Sequence, residues 1–90
     1  MVLRWNTVSV YSDAMSTYHE TLSAFLSEGS MGERELAAAI GRTQVTINRY
    51  RNGNRFPDAR TARLIDDATG GKVPFPIWQA EFLSRSGLAA

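Results

Sequence analysis

The sequence predicts an all-α chain of five short helices preceded by a short extended N-terminal arm. Three observations predict it. Apolar residues recur at helical spacing in successive stretches of the chain. Glycines and Ser/Thr caps punctuate those stretches where helices stop and start. The chain has 90 residues, enough for one small domain with no room for a second core.

Met1–Ala14 does not read as a helix. Val8–Tyr11 alternates weakly, as a short strand, an ordered arm or a frayed tail would. A first helix is expected from Ser16 or Thr17 to Glu28, opened by a Thr17/Glu20 capping box. Tyr18, Leu22, Phe25 and Leu26 share its inner face, and Gly29 stops it. Ser30 with Glu33 repeats the capping-box pattern and opens a second helix. That helix buries Leu36, Ala37 and Ile40 and ends at Gly41.

Thr43 caps a third helix, from Gln44 to about Asn52, stopped by Asn52-Gly53. At about 100° per residue, Ile47 and Tyr50 point inward. Val45, Asn48, Arg49 and Asn52 point the other way, with Gln44 on the flank near the N-terminus. A loop through Phe56 leads to a fourth helix, about Asp58–Thr69, whose inner stripe is Thr61, Leu64, Ile65 and Ala68. A last helix is expected near Pro76, a residue suited to a first turn. It carries Trp78 and Phe82, with Phe75 just before it and a loose end from Ser84. This aromatic stripe either packs on the first helix or forms a dimer contact. The chain thus divides into an arm over residues 1–15, a core unit over 16–73 and a C-terminal helix and tail over 74–90.

Composition excludes several function classes. There is no cysteine, so disulfides and thiolate chemistry are out. His19 is the single histidine, which argues against metal clusters and leaves no partner for acid–base catalysis. Asp66-Asp67 have no clustered ligands beside them in sequence and read as solvating their helix. No catalytic residue, metal site or cofactor is expected, and an enzyme is the weakest of the readings. No apolar run approaches the ~20 residues of a membrane span. With no evident secretory signal, a cytoplasmic protein without a membrane partner is expected.

The formal net charge is only +1. Its distribution is uneven. No acid lies between Arg42 and Pro57, a window holding Arg42, Arg49, Arg51 and Arg55. A polyanion responds to that local potential, not to the total. Two short helices joined by a Gly-containing turn, the second with a polar outer face, describe a helix-turn-helix. A major groove is wide enough to admit such a helix.

The run Glu33–Gly53 resembles the Cro/phage-repressor, or lambda-repressor-like, family of helix-turn-helix domains. The matching features are Leu36, Ala37, Ile40, Gly41, Thr43-Gln44, Ile47, Tyr50 and Asn52-Gly53, in order and without gaps. A looser likeness extends over about Ser16–Val73. The resemblance implies a transcriptional regulator of phage or bacterial type. It would bind double-stranded DNA as a homodimer on a near-palindromic operator, with no small-molecule ligand evident. By position, Gln44, Val45, Asn48 and Arg49 would meet base edges. Thr43, Asn52 and Arg55 would meet phosphates, with Arg42 and Arg51 as further phosphate candidates. Arg60 and Arg63 lie farther off, their reach set by the docking angle. Two positions depart from the family pattern. Glu33 puts a carboxylate where many members have an uncharged polar residue near phosphate, and Arg42 occupies a turn position that is commonly small or aliphatic. The competing reading is a protein-interaction module on the same fold, such as an antitoxin or an anti-regulator. A recognition face lacking polar base readers, or acids in the Arg42–Pro57 window, would favour it, and neither is present.

Overall fold

The computed structural model describes residues 17–86. The expected arm and its Val8–Tyr11 segment lie outside these residues, as does the end of the tail. The described chain forms five α-helices: α1 (Tyr18–Glu28), α2 (Glu33–Ile40), α3 (Gln44–Arg51), α4 (Ala59–Ala68) and α5 (Phe75–Arg85). No strand occurs among the described residues.

Local chemistry fixes most helix ends. The Thr17 hydroxyl accepts from the Glu20 amide at 3.3 Å, and the Glu20 carboxylate accepts from the Thr17 amide at 2.9 Å. This reciprocal pair closes the capping box that opens α1. Thr43 accepts from the Thr46 amide at 3.2 Å, and Asp58 from the Thr61 amide at 2.8 Å, opening α3 and α4. Gly41 ends α2 in the left-handed region, at φ 71°, where a side chain would be strained. The Arg42 amide then turns back to the Ala37 carbonyl at 2.8 Å.

The start of α2 differs from the sequence expectation. Ser30 does not cap α2; its hydroxyl donates to Glu28 at 2.9 Å. The N-cap is Gly32, whose amide donates to the Glu35 carboxylate at 3.0 Å. The Ser30/Glu33 and Gly32/Glu35 spacings are the same, and Glu33 finds better partners across the turn. The last helix also begins a residue earlier than Pro76, with Phe75 inside it, and continues past Ser84 to Arg85.

The core draws on every helix. Tyr18, Leu22, Phe25 and Leu26 from α1 meet Leu36, Ala37 and Ile40 from α2 and Ile47 and Tyr50 from α3. From α4, Thr61 and Ile65 are buried as their spacing predicts, and Ala62 is buried beside them. Leu64 and Ala68 are half-buried against this cluster. Near α5, Trp78 stacks on Phe56 at 5.6 Å, on Phe75 at 5.1 Å and on Phe82 at 5.0 Å. Its indole N–H donates to the Pro57 carbonyl at 2.7 Å in a buried setting. This bond fixes the α3–α4 loop to α5. α5 is held to α4 by the Asp66 carboxylate, which accepts from the Phe75 amide at 2.8 Å. It is held to α1 by Glu81, which accepts from the Tyr18 amide at 2.7 Å. Asp66 is therefore a cap for α5, where the sequence suggested only a solvated acid.

Two substitutions separate a used polar group from an unused one. Trp78→Phe leaves the Pro57 carbonyl without its buried donor, which should cost about 1–3 kcal/mol before any cavity is counted. The Tyr18 hydroxyl is buried with no hydrogen-bond partner among the described residues. Tyr18→Phe should therefore be neutral or stabilising. Urea denaturation followed by circular dichroism measures both, and the opposite ranking would contradict these assignments.

Candidate nucleic-acid interface

α3 is a helix of eight residues, and a helix this short is marginal alone. Its position comes from Ile47, fully buried, and Tyr50, buried beside it. Its last turn closes on Gly53, at φ 78°. The backbone there favours glycine, and a Cβ would press on the half-buried His19 ring at 3.0 Å, which would have to give way. With one side committed inward, the other side faces solvent.

That outward side carries the expected residues. Gln44, Asn48, Arg49 and Asn52 are exposed. Val45 is 59% exposed, the most open of the large apolar residues. Arg49 has no ion-pair or side-chain hydrogen-bond partner among the described residues, and neither does exposed Arg55. Thr43 lies at the start of the same face, its hydroxyl used by the cap.

Glu33 changes the electrostatics of this face. It is the first residue of α2, and its side chain is only 14% exposed. One carboxylate oxygen accepts from the Asn48 amide group and from the Arg51 guanidinium, each at 3.1 Å. The other accepts from the Gln44 amide group at 3.4 Å. Burial opposes the charge. Hydrogen bonds from Asn48, Arg51 and Gln44, with the Arg51 charge, outweigh it and hold the carboxyl below the usual glutamate value. The acid-free window of the sequence thus acquires an acid in space.

The arginines divide into two kinds. Arg51 spans three helices: besides Glu33 it donates to Ser27 at 3.0 Å and to Ser23 at 3.4 Å on α1. Its guanidinium is tied to the fold, whereas the sequence presented it as free for phosphate. Arg42 folds back as well, donating to Thr61 at 3.0 Å and to the Gly41 carbonyl at 3.3 Å. Arg60 is exposed at the start of α4, and Arg63 lies over the Phe75 ring at 4.2 Å. Asn52 donates to the Asn48 side-chain oxygen at 3.0 Å. The structure therefore groups Gln44, Val45, Asn48, Arg49 and Asn52 on one face. It sets Arg51 and Arg42 against the body of the protein.

Sequence reading missed the bracing roles of Glu33, Ser23 and Ser27. The serines stand four apart on α1, and nothing in that spacing points to an arginine more than twenty residues later. No group of three or more metal-ligating side chains occurs among the described residues. No described helix is long and apolar enough to cross a membrane. Comparison with known protein families, with curated proteins and with solved structures finds no match.

The Glu33 contacts have a pH signature. Its folded pKa is depressed, so its stabilising contribution is complete above the unfolded value of 4.5. It is lost as pH falls from there through the folded value. Thermal unfolding of wild type and Glu33→Gln should show a stability difference that shrinks across this acid window. A difference that stays constant with pH would contradict the role given to the charge.

Proposed function

We propose that this chain is a sequence-specific double-stranded DNA-binding regulator with a lambda-repressor-like helix-turn-helix, α3 being the helix that enters the major groove. The observation that carries this reading is the face of α3: an exposed valine, two amide side chains and an unpartnered arginine on a helix whose opposite side is core. These are the side-chain types that read base edges. Arg49 suits guanine O6 and N7, Gln44 suits adenine N6 and N7, and Val45 suits a thymine methyl. Asn48 lies between them with its amide already engaged. Thr43, Asn52 and Arg55 border the face where phosphates would pass. One such helix reads few base pairs, so the regulator would act as a homodimer on a near-palindromic operator. Occupancy over a promoter would block polymerase, and occupancy beside it would recruit polymerase.

Glu33 gives the competing reading one specific support. A carboxylate beside the α3 face suits a protein partner better than a polyanion. A protein-interaction module would show no duplex affinity at any salt concentration. A DNA-binding protein loses affinity steeply with salt, by about 0.9 log unit per log unit of salt for each neutralised phosphate.

Selection of bound sequences from a random duplex pool tests the proposal and supplies a cognate site. On that site Arg49→Ala should cost about 1–3 kcal/mol and relax preference at one base pair. Equal weakening on cognate and random duplexes would show that Arg49 touches only the backbone.

A further inference from the structure

We propose that Glu33 is a built-in counter-charge on the α3 face, restraining sequence-independent grip on DNA and so raising the ratio of specific to random binding. The inference rests on the DNA-binding reading above. It starts from the bonds that one carboxylate makes to three residues of α3, spread over both its turns.

Each of those bonds removes something from a duplex. Arg51 is the clearest case. Its guanidinium is bonded to Glu33, Ser23 and Ser27, so its charge is paired at short range and three of its five N–H donors are occupied. Asn48 donates one N–H to Glu33 and accepts one bond from Asn52 at its oxygen, so its amide is held from two sides and keeps one N–H and one lone pair. Gln44 is held by a single longer bond at 3.4 Å. Its amide keeps one N–H and its carbonyl oxygen, the pair that an adenine edge requires. Asn48 is thus the more restrained of the two amides, and Gln44, Val45 and Arg49 are the freer readers on this face.

The charge acts differently on the two kinds of binding. Random binding is almost wholly phosphate attraction. A carboxylate at the interface opposes that attraction directly and withholds Arg51 from it. Base-edge contacts depend on geometry, which the same carboxylate maintains. Restraint on grip and support for readout thus come from one side chain.

Glu33→Gln keeps the size of the side chain and removes its charge. The test measures binding of wild type and Glu33→Gln to a selected site and to a random duplex over a salt series, with helicity checked by circular dichroism. The variant is expected to bind the random duplex several-fold more tightly, with a salt slope steeper by about one phosphate contact. Its gain on the selected site should be smaller, so the specificity ratio falls. Arg51→Gln, which leaves Glu33 uncompensated, should weaken random binding. If Glu33→Gln fails to fold, Arg51→Gln decides, and unchanged random binding in it would overturn the proposal. If wild type binds duplex and folded Glu33→Gln binds random duplex no more tightly, the counter-charge is refuted while the DNA-binding reading stands. If neither protein binds any duplex, that reading fails and the counter-charge falls with it.

Discussion

The structure depends on one constraint: a two-turn helix must be held from behind so that its front stays free. Eight residues form too few hydrogen bonds to hold α3 together in water. Ile47 and Tyr50 supply the missing stability by burial, and Thr43 and Gly53 fix the two ends. The Trp78–Pro57 bond holds the loop that leaves α3. Each of these features lies on or behind the helix. The face they leave open is consequently rigid, polar and close to the surface, with Val45 projecting from it.

How much of this was legible in the sequence depends on how local each signal is. Thr17/Glu20 and Thr43 act within one helical turn, and their caps form where the sequence places them, whereas Asp58, expected as the first residue of α4, caps it instead. The inward faces of α1, α2 and α3 follow from periodicity alone. Ser30/Glu33 failed because Gly32/Glu35 offers the same spacing two residues later. Only the Glu35 half of a capping box forms there, since Gly32 has no side chain to accept, and Arg51 and Asn48 give Glu33 partners that no local pattern records. Arg51 failed for a related reason. Its direction on the helix was readable, but its anchors on α1 are distant in sequence. Asp66, which caps α5 nine residues on, belongs to the same class of contact.

The electrostatic picture also changes on folding. In sequence, Arg42, Arg49, Arg51 and Arg55 form an uninterrupted basic stretch. In the folded chain Arg51 is paired and Arg42 is bonded to Thr61, while Arg49 and Arg55 stay open. The surface charge offered to a partner is thus smaller and more localised than the residue count implies. On the DNA-binding proposal, such a face with Glu33 as counter-charge would suit a reader that leaves wrong sites quickly, since random attraction is what holds a protein at such sites. The charge distribution and the side-chain chemistry of α3 then serve a common end.

On the DNA-binding proposal, the outward side of α3 lies against nucleobases. The most direct measurement is an NMR titration of the isotopically labelled protein with its selected duplex. Shift changes should concentrate at Gln44, Val45, Asn48 and Arg49, with magnetisation transfer from the Val45 methyls to a base methyl or ring proton. Changes centred on α5 or on the α4 surface, with the α3 resonances unmoved, would contradict it.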